Sequence, residues 1–279
     1  MRALLAAPGC TFPASVHDPM SARIASQLEF EAGIFAGSVA SLTVLGAPDI
    51  ILLTLTEFAE QAMRISRAAD LPLLVDADHG YGNALNVMRC VEELEAAGVA
   101  ALSIEDTELP AAAGSKGAAR LTSLDEGVGK MRAALAARAD PALVIAGRTS
   151  AAGITDAADA ARRLRAYEDV GVDALFAVGV RDRAALELIS AATTLPIILG
   201  SAPRELRDPA LLEANRVKIC LLGHQPFAAA VQAIHDTLSR LRAGDDPASL
   251  PGVAPASLIR TLTRADDYQA WTDRFLDDQ

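Results

Sequence analysis

Residues 71–83 read Leu-Pro-Leu-Leu-Val-Asp-Ala-Asp-His-Gly-Tyr-Gly-Asn. The apolar half has the character of a strand buried on both faces, as in a parallel sheet. The polar half opens with two aspartates, Asp76 and Asp78, two residues apart. In extended backbone, positions i and i+2 point the same way. Both carboxylates therefore face one side where the strand frays into its loop. Two convergent carboxylates suit a hard divalent cation such as Mg²⁺. The same pair would also serve as caps for the helix that follows. Gly80 and Gly82 leave room for a ligand to approach.

Working outward, the same pattern recurs along the chain. Apolar runs PASVHD, EAGIFAG, LPLLVDAD, VAALSIED, ALVIAGRTS, DALFAVG, LPIILGS and VKICLLG are each followed by an amphipathic stretch. In ALNVMRCVEELEAAG, for instance, Val87, Cys90, Val91 and Leu94 fall on one helical face. The segment between Gly37 and the helix TLTEFAEQAMRISRAA reads as a long loop. Eight strand–helix units predict an α/β fold closed as a (β/α)₈ TIM-type barrel, with a doubly wound open sheet as the alternative. Residues 1–244 make the barrel catalytic domain. Residues 245–279 form a linker carrying Pro247, Pro251 and Pro255, then a helix with Trp271 and Phe275.

Composition narrows the function. The chain is 51% hydrophobic, 4% aromatic and carries a net charge of −11. That charge disfavours nucleic acid and anionic membrane as partners. An anionic substrate would need a bound cation to reverse the local field. Three cysteines, Cys10, Cys90 and Cys220, lie among apolar neighbours and read as reduced, packed thiols in a cytoplasmic protein. No segment reaches the roughly 18 uninterrupted apolar residues of a membrane span.

In a barrel, chemistry sits at the C-terminal ends of the strands. Those ends offer His17 and Asp18, then Gly37 and Ser38 with Asp49 in the loop beyond, then Asp76, Asp78 and His79. Further round come Glu105 and Asp106, Arg148 with Thr149 and Ser150, Gly200 and Ser201, and finally His224. Carboxylates on neighbouring strand ends repel unless a cation gathers them. The oxygen-rich set favours Mg²⁺ or Mn²⁺ over Zn²⁺. Arg148 reads either as a salt-bridge partner of a strand-4 carboxylate or as a fork for a substrate carboxylate or developing oxyanion. His224 reads as a neighbour of a helix N-cap or as an acid/base or orienting group. Ala36 to Val39 could present consecutive backbone N–H groups to an anion.

The segments DADHGYGN, SIED, GRT and GSVAS resemble the isocitrate lyase/phosphoenolpyruvate mutase superfamily. HDPMSARIA, DADHGYGNALNVMR, EGVGKMRAAL and the Gly223-His224 pair look like its oxaloacetate decarboxylase branch. The resemblance implies an α/β barrel whose last helix swaps onto a neighbouring subunit of a homo-oligomer, a dimer or a tetramer. It implies Mg²⁺ bound by Asp78, with Asp49, Asp76 and Glu105 holding the ion's waters. It implies a small 2-oxo acid whose carboxylate lies on the amides around Gly37, Ser38 and Val39, with Arg148 facing the substrate and His224 near the leaving group. The implied activity is Mg²⁺-dependent decarboxylation of oxaloacetate, or a close 2-oxo diacid, to pyruvate and CO₂. A C–C lyase or phosphonopyruvate-type mutase, and a non-catalytic 2-oxo acid binder, stand as alternatives.

Three features depart from the pattern. The loop PAAAGSKGAAR carries no cysteine, which argues against isocitrate or methylisocitrate cleavage. ILGSAPREL carries no tyrosine after strand 7. Ser150 follows GRT where Asn or Asp is usual. Lys116 lies in the loop after strand 4.

Overall fold

Eight parallel strands follow one another in chain order around the first part of the molecule. They are β1 (Ala14–Ser15), β2 (Gly33–Ala36), β3 (Leu73–Asp76), β4 (Ala101–Glu105), β5 (Val144–Thr149), β6 (Ala174–Val178), β7 (Ile197–Gly200) and β8 (Val217–Cys220). The computed structural model describes residues 1–111, 113–114 and 117–277; Lys116 lies outside them. The chain divides into two units, Met1–His224 and Gln225–Gln279. The first holds the eight strands of the (β/α)₈ fold that the alternating pattern predicts, and the helix read after the eighth strand falls in the second unit.

The ring is closed by a residue outside the first strand. Thr11 donates its N–H to Lys218 O at 2.8 Å and accepts from Cys220 N at 3.0 Å. Inside the ring, Ile34, Leu74, Ala101, Val144, Ala146, Phe176, Ile198 and Ile219 form one apolar cluster. Leu5 of the short helix α1 (Arg2–Ala6) joins it. Strand period then dictates the next layer up. Two residues beyond Leu74 comes Asp76, and two beyond Ala146 comes Arg148. The barrel interior is therefore apolar below and charged at its mouth.

The opposite face of each strand packs on helices. α2 (Pro19–Gln27), α3 (Gly37–Ala40), α4 (Leu55–Ser66) and α5 (Ala84–Ala96) precede α6 (Leu124–Ala137). α7 (Ala151–Ile154), α8 (Ala157–Val170), α9 (Arg183–Ala192) and α10 (Pro209–Ala214) complete the barrel. Polar caps start several of them. Asp18 accepts from Ser21 N, and Thr54 with Glu57 and Asn83 with Asn86 form capping boxes. Phe35 of β2 stacks on Phe58 of α4 with ring centroids 5.0 Å apart. Tyr167 of α8 fills space that two glycines vacate, Gly127 on α6 and Gly147 on β5; a Cβ at either would strike its side chain.

The stretch after β2 differs from the expected loop. Residues Gly37–Ala40 form α3, and Ser41–Leu45 continue it as a wider π turn that Gly46 ends at φ 63°. The Ser, Thr and Val content gives weak helix propensity. Burial of Val39, Ala40 and Ser41 overrides it.

The second unit holds α11 (Gln225–Ala243), α12 (Ala256–Leu262) and α13 (Ala265–Thr272). α11 buries none of its residues and leaves Val231, Ile234, Leu238 and Leu241 exposed in one stripe. Among the described residues no helix is long and apolar enough to cross a membrane.

Candidate active site

The charged layer at the barrel mouth is built by register. Glu105 of β4 pairs with Arg148 of β5, and Asp76 of β3 pairs with Ser103 of β4. Arg148 ion-pairs with Asp76 through Nη1 and with Glu105 through Nη2 at 3.2 Å. Its Cζ stands 5.3 Å from the centre of the Phe176 ring. Arg148 thus spans carboxylates of strands 3 and 4, and it lines the cavity above them.

Hydroxyls fix the carboxylates in place. Ser103 Oγ donates to Asp76 Oδ1 at 3.2 Å. Thr107 Oγ1 donates to Glu105 Oε2 at 3.0 Å, and Ser150 Oγ approaches the same oxygen at 3.5 Å. Asp78 is different. It sits in left-handed backbone at φ 48°. None of the hydrogen bonds or ion pairs among the described residues supplies a donor to its carboxyl. Burial, then the charge of Asp76, pushes its pKa well above the ordinary carboxylate range. Glu105 is raised by burial against the pull of Arg148. Asp49, the most exposed of the four, is raised by partial desolvation and then by Asp76.

Asp49, Asp76, Asp78, Glu105 and Arg148 line one cavity of about 440 Å³, together with Ser38. Ile51, Leu109, Ile154 and Val178 provide its apolar wall. Gly37 and Val39 are buried beside Ser38, and the three residues open α3. The first N–H groups of a helix have no partner within it and point outward along the axis. His224 does not line the cavity. Its Nδ1 lies 2.7 Å from Ser15 Oγ, and burial lowers its pKa while Asp76 and Asp49 oppose the shift. After β7, Ser201 takes φ 47° and Ala202 is buried; Phe176 and Val178 occupy the ground beside Gly200.

Can a divalent ion fit here? The donor set is all oxygen, and the half-buried Asp78 carboxyl, acidic by type, has no donor among the described residues. Both features suit a hard cation. Among the described residues no three His, Cys, Asp or Glu side chains converge tightly enough to enclose a metal by themselves. A site here needs water or substrate oxygens as well.

Sequence reasoning placed Asp106 at the end of strand 4 but missed the network around it, and it missed Ser15 and Lys130. Ser15 orients His224. Asp106, fully buried, accepts from Thr149 Oγ1 at 3.0 Å, Arg163 Nη1 at 3.0 Å and Tyr167 O–H at 2.6 Å. Lys130 of α6 donates to His79 O at 3.0 Å. A visible signal existed for Lys130: it falls in the apolar stripe formed by Gly127, Met131 and Ala134. The Asp106 network had none, because its members are up to 61 residues apart.

The family model described as phosphoenolpyruvate phosphomutase matches residues 1–242. The chain belongs to the phosphoenolpyruvate phosphomutase family. An oxaloacetate decarboxylase of Bradyrhizobium diazoefficiens is 58% identical over 270 residues, spanning 97% of this chain and 93% of that protein. The crystal structure of a phosphoenolpyruvate phosphomutase from Streptomyces platensis superposes with a TM-score of 0.88 at 30% identity, covering 99% of this chain and 98% of the other. A phosphonopyruvate hydrolase solved with oxalate and Mg²⁺ gives 0.87 at 28% identity, covering 99% and 97%. Within the phosphoenolpyruvate phosphomutase family, this chain thus shares its barrel with enzymes of differing reactions.

Proposed function

We propose that this protein is a divalent-metal-dependent carboxy-lyase that releases CO₂ from oxaloacetate, or a close 2-oxo diacid, to give pyruvate. The observation that carries the reading is the shared cavity of Asp49, Asp76, Asp78, Glu105 and Arg148. The 58% identity to an oxaloacetate decarboxylase across nearly the whole chain supports the choice of reaction within the family. Mg²⁺ is the ion we favour, since a site with one direct carboxylate and several waters matches its habits. In this reading Asp78 is the direct ligand, and Asp49, Asp76 and Glu105 hold waters.

When bound, the ion acts as a Lewis acid toward negative charge on the 2-oxo oxygen. The chain's own groups do the rest. The amides of Ser38 and Val39, at the start of α3, bind the substrate's C1 carboxylate. Arg148, half-buried and fixed by two carboxylates, offers its guanidinium to the charge that develops as the C3–carboxylate bond breaks. It is already oriented, so little reorganisation is needed at that moment. The apolar wall of Ile154 and Val178 excludes water from the departing carboxylate. His224, held by Ser15, orients the leaving group or delivers a proton to C3.

The exposed stripe on α11 supports a homo-oligomer in which the second unit packs on another subunit. The deciding experiment is pyruvate release from oxaloacetate with Mg²⁺ and with EDTA. We expect fast release with Mg²⁺ and a return to the buffer rate with EDTA. Equal rates in both would end the proposal, and turnover of phosphonopyruvate or 2,3-dimethylmalate instead would favour a mutase or lyase.

A further inference from the structure

The loop that carries Asp78 is held in costly backbone. Asp78 and Tyr81 take φ 48° and 60°, and Gly80 and Gly82 take 75° and 149°. For a residue with a Cβ, left-handed backbone costs roughly 1–2 kcal/mol. Such a conformation persists only when its surroundings impose it. Glu105 N–H donates to Asp78 O at 2.8 Å, and Gly80 N–H to Ala77 O at 3.0 Å. The next carbonyl, that of His79, is taken by Lys130 Nζ at 3.0 Å.

Lys130 is an unexpected donor. Its side chain is 2% exposed, on the face of α6 that otherwise buries Gly127, Met131 and Ala134. Burying this ammonium is expensive: the carboxylates of Glu126, Glu105 and Asp106 offset its desolvation only in part, and an apolar residue of similar size would pack there with less penalty. Fold stability therefore gives no reason for a lysine at this position. Its position in the site does, because the carbonyl it grips belongs to the residue after Asp78.

We propose that Lys130 is a positioning residue: by fixing the His79 carbonyl it holds Asp78 in the left-handed conformation that turns its carboxyl into the cavity. The inference rests on the reading of Asp78 as the ligand of a divalent ion. Groups one step removed from a metal ligand typically alter affinity or activity by about 10–100-fold when removed.

The test uses the full chain and three variants, Lys130→Met, Lys130→Arg and Lys130→Gln. Mn²⁺ binding is measured by calorimetry, turnover as a function of Mg²⁺, and thermal unfolding in EDTA. For the Met variant we expect Mn²⁺ affinity to fall about 10–100-fold. The Mg²⁺ concentration for half-maximal rate should rise in step, with oxaloacetate KM at saturating metal unchanged and no loss of melting temperature. The Arg variant, which keeps charge and donors, should recover part of the metal affinity. Wild-type metal affinity in the Met variant overturns the role of Lys130, as does a loss confined to melting temperature. If the Met variant does not fold, the Gln variant decides: weaker Mn²⁺ binding than wild type supports the role, and equal binding overturns it. Wild-type protein that binds no Mn²⁺ ends the metal reading of Asp78, and this inference with it.

Discussion

Gly37 lies so close to Asp78 that a Cβ on it would fall within the Asp78 carboxyl group. The start of α3, proposed to hold the substrate carboxylate, thus packs directly on the side chain proposed to hold the ion. Gly37→Ala should push the Asp78 carboxyl out of place. Small overpacking costs roughly 1–3 kcal/mol of stability. A displacement near 1 Å at a reacting site can cost about 100-fold in rate. We expect a folded protein with kcat/KM for oxaloacetate reduced about that much. Steady-state kinetics beside a melting curve would check it, and unchanged kinetics would show that α3 and Asp78 are not coupled.

Asp78→Asn separates charge from backbone. Asparagine adopts left-handed backbone readily, so the loop should keep its shape. Because the pKa of Asp78 is raised in the folded protein, first by burial, its contribution to stability is present at low pH and lost as pH rises through the raised value. In EDTA the Asn variant should therefore gain stability over wild type at pH 8, and gain less at pH 5. Metal-dependent turnover should vanish. Thermal unfolding at the two pH values tests the sign, and turnover with Mg²⁺ tests the site.

His79 acts on the acid side. Burial, reinforced by Lys130, lowers its pKa from 6.5 to about 4. A depressed pKa means that stability present above 6.5 is lost as pH falls toward and through about 4. A shift of that size corresponds to at most about 3 kcal/mol. His79→Gln should show a shallower loss between pH 6.5 and 4 in urea titrations. Comparing the two proteins cancels the opposing contribution of Asp78 and Glu105. Parallel curves would mean that His79 does not titrate in this window.

Tyr167 reaches the site only through its neighbour. Its hydroxyl donates to Asp106 Oδ2 at 2.6 Å, in a wholly buried network next to Glu105 in sequence. Losing a hydrogen bond to a charged group costs about 1.5–3 kcal/mol. Tyr167→Phe should lower stability by that amount and leave Mn²⁺ affinity at the wild-type level. A weaker Mn²⁺ affinity would show that the Asp106 network also sets Glu105.

How much of this was legible beforehand depends on distance along the chain. The eight units could be read because strand and helix each carry a short period, and because residues such as Asp18, Thr54 and Asn83 mark helix starts locally. The shared side of Asp76 and Asp78 followed from i, i+2 spacing alone. The helical turn at Gly37–Leu45 did not, since its weak propensity is overridden by burial. The closure of the ring through Thr11 was equally hidden, because one bridging residue leaves no periodic trace.

The amino-acid sequence by itself determined the order of elements, the inward rows of each strand and the residue types available at the barrel mouth. These follow from backbone geometry within a few residues. Only the tertiary structure decided that Arg148 spans Asp76 and Glu105, that His224 turns to Ser15 from 209 residues away, and that Lys130 ends on a carbonyl beside Asp78. Such pairings depend on how the curved sheet closes and how α6 lies against it. That is a property of the whole packed barrel, which no local spacing encodes.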